Sequence, residues 1–326
     1  MEDSVVVITG ASSGIGRATA RAFAEKGAML VLAARRETAL QEVASECEVR
    51  GARTLVVPTD MADEAAVQTL ARAAADTFGR IDTWVNNAAV SLFARFEEAP
   101  PEVYRKVFDT NFFGYVHGAR AVLPIFREQG AGVLVNVSSV VATAPQPYTS
   151  AYVASKAAIE GFSECLRMEL RLDDSDIRVC DVMPASIDTP IFQQSANYTG
   201  RAIKALDPAY PPEDVAEAIV KLAHRPRAET MVGNAGRMMA AEHSVAPRFY
   251  ERMGARRVER NHFQDRSAEP TEGNLFVPMP EFATVRGGWS APENGGNTGS
   301  LALAGAAIAL PLLFWAWKSE SLPLQK

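Results

Sequence analysis

The sequence predicts an α/β protein built on a doubly wound parallel sheet, and three observations lead there. Continuous apolar, β-branched runs recur along the chain, helix-period segments separate them, and the first run ends in a turn rich in glycine and serine. A strand buried on both faces reads as an uninterrupted apolar run. Strands separated by helices imply right-handed crossovers that cover both faces of one sheet. At 326 residues the chain accommodates a single large domain with an extension.

The first run is VVVIT at residues 5–9, followed by runs at 29–33, 54–58, 83–85, 132–137 and 178–183, with helix-period segments between them such as 17–26 and 65–78. Pro190, Pro208, Pro211 and Pro212 bracket a polar and aromatic stretch at 191–210, which together with its flanks (185–212) is read as a substrate lid ahead of a helix-like segment at 212–223. The catalytic domain is expected to span 1–242. An Arg-rich, weakly helical extension follows at 243–286, then a Gly-rich segment at 287–299 with the composition of a flexible linker.

From Leu301 to Trp317 no residue is charged. A helix over 300–317 would reach roughly 27 Å, near the lower limit for crossing a bilayer, with Trp315 and Trp317 at the interface and a polar tail at 318–326. This segment is expected to be a single transmembrane helix, with the Arg-rich extension keeping the catalytic domain cytoplasmic. Its shortness and Pro311 leave open packing against a partner subunit in a soluble cytoplasmic protein. Glu2 and Asp3 stand where a secretory signal would be basic.

The net charge of −6 argues against nucleic acid as a partner, because tracking phosphates needs an excess of Lys and Arg. Cys47, Cys165 and Cys180 are isolated, and His117 has no second histidine near it, so no metal site is expected. Asn197 begins an Asn-Tyr-Thr acceptor that would matter only in a secretory lumen.

The glycine turn carries the first chemical signal. Gly10, Gly14 and Gly16 lie between the first strand and the first helix, where the backbone turns tightly and free N–H groups meet a dinucleotide pyrophosphate. At the end of the second strand Ala34 occupies the position where an NAD-preferring protein carries an acid. Arg35 and Arg36 follow and can make charge-assisted bonds to a 2′-phosphate, so NADP(H) is expected over NAD(H). Further along, Tyr152 and Lys156 are one helical turn apart and share a face. A free phenol ionises near pH ~10, and a cation within about 4–6 Å lowers an acid's pKa by roughly 1–3, so the pair is expected to act in proton transfer.

The Gly-x-x-x-Gly-x-Gly spacing, Asp60 after the third strand, Asn86-Asn87-Ala88-Ala89, Asn111, Ser138-Ser139 and Tyr152-Val-Ala-Ser-Lys156 resemble the short-chain dehydrogenase/reductase (SDR) family over about residues 4–235. The resemblance implies a Rossmann-type domain that interconverts a carbonyl and an alcohol, assembled as a homo-oligomer. It implies Tyr152 as the acid or base, Lys156 as its partner, Ser139 as the hydrogen bond to the substrate oxygen, and Asn111 as the residue that positions Lys156 through a water. Ser138 competes with Ser139, which the thirteen-residue separation from Tyr152 favours. Besides the glycines and arginines, Ser12, Ser13, Ile15, Asp60, Met61, Asn87, Ala88, Pro184, Ile187 and Thr189 fall where the family contacts the coenzyme. Ala89 and Ala185 replace glycines of the family pattern.

Val140, Val141, Ala142 and Pro145, with Phe93, Phe96, Ile191 and Phe192, are expected to wall an apolar pocket for a small lipophilic carbonyl compound or alcohol. A different class of function, a membrane-tethered NADP(H)-binding scaffold or sensor with little turnover, has no need of the intact set Asn111, Ser139, Tyr152 and Lys156.

Overall fold

The computed structural model describes residues 1–290. Its centre is a parallel sheet of seven strands: β1 Val5–Thr9, β2 Met29–Ala34, β3 Thr54–Pro58, β4 Thr83–Asn86, β5 Ala131–Val137, β6 Asp176–Pro184 and β7 Glu229–Val232. In space they run β7-β6-β5-β4-β1-β2-β3, every neighbouring pair parallel. The chain winds outward from β1 to β3, crosses back, and continues from β4 to β7. The reversal lies between β1 and β4, and the crevice beyond the carboxyl ends of strands at such a point is where open α/β sheets bind ligands.

The helices of two turns or more are α1 Gly14–Ala24, α2 Glu37–Glu48, α3 Glu64–Phe78, α4 Pro101–Phe108, α5 Gly114–Gln129, α6 Ser150–Leu172, α7 Pro212–His224, α8 Asn234–Val245 and α9 Pro247–Asn261. The uninterrupted VVVI of β1 is explained by its two faces. Val6 and Ile8 pack with Phe23 of α1, Leu40 of α2 and Ile219 of α7. Val5 and Val7 pack on the opposite side with Leu70 of α3, Phe126 of α5 and Leu170 of α6. Alternation on a strand with a core on each face leaves no polar position, and each such side chain contributes about 1.5–3 kcal/mol by burial.

All six strands expected from the sequence are present, two with the expected bounds and four extended by a residue or two at one or both ends. The seventh, β7, carries only Glu-Thr-Met-Val, exposed or half-buried along its length, so no apolar run marked it. The helix expected at 17–26 begins earlier, at Gly14, because the glycine turn itself forms its first turn, and Gly27 at φ +75° lies just past its end. The extension is more ordered than its composition suggested. It takes in the last turn of α8, all of α9 and then a strand, Phe263–Ser267, antiparallel to Arg201–Ile203. The segment read as a lid is thereby tied down on one side, and on the other Ala196–Asn197 pairs with Leu92–Phe93.

A buried polar chain keys α6 to the sheet. Asn86 of β4 donates to Asn136 of β5 (2.9 Å), Asn136 to Ser163 of α6 (2.9 Å), and Ser163 to Asp181 of β6 (2.6 Å), whose other oxygen accepts from Arg167 at 2.7 Å. Asn86, Asn136, Ser163 and Asp181 are all fully buried.

Residues 287–290 belong to the segment read as a linker, yet they are hydrogen-bonded to Asp188 and Thr189. The rest of that segment, the apolar stretch 300–317 and the tail 318–326 lie outside the described residues. Among the described residues no helix is long and apolar enough to cross a membrane.

Candidate active site

The turn from β1 into α1 is built to let backbone approach backbone. Gly10 and Gly14 have φ of +66° and +53°. A Cβ on Gly16 would stand 2.2 Å from the Gly10 carbonyl oxygen, and one on Gly10 would stand 2.7 Å from the Ala88 Cα. Thr9 closes the base of the turn: its hydroxyl donates to the Val85 carbonyl (3.1 Å) and accepts from the Asn87 N–H (2.9 Å), while the Asn87 amide donates to the Thr9 carbonyl (2.8 Å). Ser13 precedes α1 without a side-chain cap. The positive end of the helix therefore faces the crevice.

A single cleft of about 270 Å³ follows the carboxyl ends of the strands. It takes in Gly10, Ser12, Ser13, Gly14, Ile15, Arg35, Arg36, Asp60, Met61, Asn87, Ala88, Ser139, Tyr152, Lys156, Pro184, Ile187 and Thr189. Of the site residues expected from the sequence, Gly16 and Asn111 do not line it. Gly16 is packed beneath the turn. Asn111 is fully buried in a π-turn between α4 and α5, accepting from the Val90 N–H (2.8 Å) and donating to the Val90 carbonyl (2.9 Å) and Ser155 hydroxyl (3.2 Å). Its side-chain amide is thus spent on the loop after β4 and on α6.

Lys156 makes other contacts. Its ammonium donates to the Val137 carbonyl (2.7 Å) and to the Tyr115 hydroxyl (3.3 Å), and lies 5.6 Å from the centre of the Tyr152 ring. Tyr115, absent from the sequence reading, is fully buried on α5 and donates to the same Val137 carbonyl at 3.0 Å. A buried phenol needs such a partner, but one tyrosine in an apolar helix gives no sequence signal of which partner it will find.

The electrostatics also differ from expectation. Burial pulls the Lys156 pKa down to about 7 and pushes that of Tyr152 up to about 12, the Ser139 hydroxyl opposing the second shift. Desolvation outweighs the cation expected to acidify the phenol, since the ammonium is turned onto Val137 and Tyr115. Both serines line the cleft; the Ser138 hydroxyl has the Lys156 carbonyl (3.3 Å) and the Glu160 carboxylate (3.1 Å) as alternative acceptors, whereas the Ser139 hydroxyl is the one that acts on the Tyr152 phenol.

Glu160, behind Ser138, has its pKa raised to about 7, chiefly by burial. A carboxyl whose folded pKa lies above its unfolded value contributes stability that is fully present below the unfolded pKa and lost as pH rises through the folded one. Glu160→Gln keeps the acceptor for Ser138 without the charge. Melting temperatures across pH 4.5–8 should show the variant gaining on the wild type as pH rises through about 7, by roughly 2–4 °C. A constant difference across that range would mean that Glu160 does not titrate in the fold.

At the other end of the cleft, Arg35 donates to the carbonyls of Leu275 (3.0 Å) and Asn274 (2.6 Å), and Arg36 to that of Pro280 (2.9 Å). Asn274, Pro278 and Met279 themselves line the cleft. None was anticipated, because a loop some 240 residues away carries no local pattern that aims it at β2. Two buried polar atoms of cleft residues, the Ser186 hydroxyl and the Asn274 side-chain oxygen, have no hydrogen-bond partner. Buried polar atoms are rarely left so, and with the glycine turn and helix terminus they fit a bound polar ligand such as a dinucleotide.

Beyond Tyr152 the cleft is mostly apolar. Phe93, Val140, Val141, Ile191 and Phe192 line it as expected, while Ala142, Pro145 and Phe96 do not, and Phe96 is 71% exposed. Leu206, Met239 and His262 join them. His262 stacks edge-on with Phe93 (4.9 Å), and burial lowers its pKa to about 4, which keeps it neutral at physiological pH.

Residues 4–199 match the family described as short chain dehydrogenase. The chain is 35% identical over 327 residues to the uncharacterized oxidoreductase YxnA of Bacillus subtilis, covering 97% of this chain and 90% of that one. It is 35% identical over 213 residues to dehydrogenase/reductase SDR family member 7B of Bos taurus, covering 64% of this chain and 65% of that one. Two crystallised proteins share the fold at 28% identity. One is a short chain dehydrogenase/reductase from Burkholderia phymatum in complex with NAD, with a TM-score of 0.70 over 77% of this chain and 96% of that one. The other is an alcohol dehydrogenase from Thermococcus sibiricus complexed with 5-hydroxy-NADP, with a TM-score of 0.63 over 71% of this chain and 96% of that one.

Proposed function

From the premise that this chain belongs to the short-chain dehydrogenase/reductase family and is an oxidoreductase of that type, we propose that it interconverts a carbonyl and an alcohol on a small lipophilic molecule, with NADP(H) preferred over NAD(H). The observation that carries the reading is the pairing of a half-buried phenol and a fully buried ammonium one helical turn apart on the cleft wall, with Ser139 lining the same cleft.

When bound, the nicotinamide coenzyme supplies or accepts the hydride. The residues of the chain handle the proton and the developing charge. In reduction, Tyr152 gives its hydroxyl proton to the carbonyl oxygen as that carbon becomes a C–H carbon, and the product is the alcohol. Ser139 donates a hydrogen bond to the same oxygen, where negative charge grows. Lys156 then stabilises the phenolate that remains, and its own pKa near 7 suits it to hand on a proton at neutral pH. Oxidation of an alcohol is the same path reversed. Phe93, Val141, Ile191 and Phe192 favour an apolar body on the substrate.

The NADP(H) preference rests on Ala34 in place of an acid and on Arg35 at the end of β2. Arg35→Ala is expected to weaken NADPH about tenfold or more, or ~1.4 kcal/mol, and to change NADH less than twofold. Fluorescence titration with both coenzymes checks this, and equal losses for the two would remove 2′-phosphate recognition from the reading.

A further inference from the structure

The segment after the sheet domain, residues 273–290, runs across the mouth of the cleft. Its beginning is seated against the chain that follows β6: Gly273 has φ +54°, and a Cβ there would lie 2.2 Å from the Gln194 carbonyl oxygen. Its end is fixed to Asp188, which accepts from the backbone N–H of Gly287 (3.0 Å) and Trp289 (2.8 Å) and from the Ser290 hydroxyl (2.8 Å). The Trp289 indole also donates to the Thr189 carbonyl at 3.1 Å. Between these two moorings the strap is carried by the coenzyme machinery itself. Arg35 and Arg36 hold its carbonyls, and the Thr284 carbonyl accepts from the N–H of Gly14 at 2.9 Å.

We propose that this strap is part of the coenzyme site: it forms the outer wall of the adenosine compartment, and the coenzyme enters or leaves only when the strap lifts. The inference rests on the coenzyme reading above. Open α/β crevices face solvent at the carboxyl ends of their strands, and here that side is roofed by Asn274, Pro278 and Met279, all lining the cleft. At this end of the cleft Pro278 and Met279 offer an apolar cover for a ring, and the Asn274 side-chain oxygen has no hydrogen-bond partner. Arg35 is held over the compartment through its two terminal nitrogens, and a guanidinium has further N–H donors free to meet a 2′-phosphate.

The experiment uses the full chain and reads coenzyme release and strap accessibility. Dissociation of NADPH is followed by stopped-flow displacement for the wild type and for a Trp289→Ala/Ser290→Ala double variant, which loosens the distal mooring. Release is expected to quicken about tenfold or more in the variant. Should the variant fail to fold, the wild type supplies its own test, because Arg286 is an exposed tryptic site within the strap. Saturating NADPH is expected to slow cleavage after Arg286 severalfold. Unchanged release in a folded variant, or cleavage indifferent to NADPH, overturns the strap as a wall while leaving coenzyme binding intact. Failure of the wild-type chain to bind NADPH at all overturns both readings.

Discussion

Replacing Tyr152 by phenylalanine is expected to lower turnover of a lipophilic ketone about a thousandfold while leaving NADPH affinity within about twofold. Proton transfer by a positioned side chain contributes roughly 10²–10⁴ in rate, and the phenol lines the cleft together with Ser139. The ring is retained in the variant, so its packing and the contact with Lys156 remain. Coenzyme absorbance gives the turnover and fluorescence titration the affinity. A variant that kept full activity would move the acid elsewhere in the cleft. One that lost coenzyme binding in parallel would show the substitution acting through the fold rather than through the proton.

The second large effect is expected at Gly16. The Cβ of Gly16→Ala would fall 2.2 Å from the Gly10 oxygen and 2.8 Å from the Gly10 carbonyl carbon. These are backbone atoms inside a turn already committed to Thr9 and Asn87, so the turn must open. Overpacking of this kind costs about 1–3 kcal/mol or more. Because the turn also presents the end of α1 to the cleft, NADPH affinity is expected to drop about a hundredfold, or ~2.7 kcal/mol. Gly161→Ala on α6, where a Cβ meets nothing within 4 Å, is the matched control and should bind as the wild type does. Wild-type affinity in Gly16→Ala would mean that the turn tolerates a shift and does not set the coenzyme site.

The centre of the sheet was legible because its strands are buried on both faces, and a run such as VVVI can satisfy two cores in only one way, whereas the edge strand β7 is exposed or half-buried and carried no such run. The glycine turn and the Tyr152–Lys156 pair were legible because each is local, its chemistry set by residues a few positions apart. What escaped the sequence depends on distant chain. Tyr115 reaches Lys156 only through the packing of α5 beside α6, and the strap meets Arg35 only after the whole domain has been wound. The setting of the Tyr152 phenol was hidden for a related reason: a one-turn spacing says that a cation is near, but not that Val137 and Tyr115 engage it or that burial raises the phenol's pKa.

The hydrogen-bonded row from Asn86 to Arg167 acts on the chemistry as an index pin does on a dial. A helix resting on a greasy surface can settle at several rotations of nearly equal energy. With Ser163 locked between Asn136 and Asp181, turning α6 by one position, about 100°, would strand several buried polar groups at about 1–3 kcal/mol apiece. The azimuth of Tyr152 and Lys156 is thus set two to three turns down the same helix, and a small alteration at Ser163 would detune proton transfer without touching the substrate.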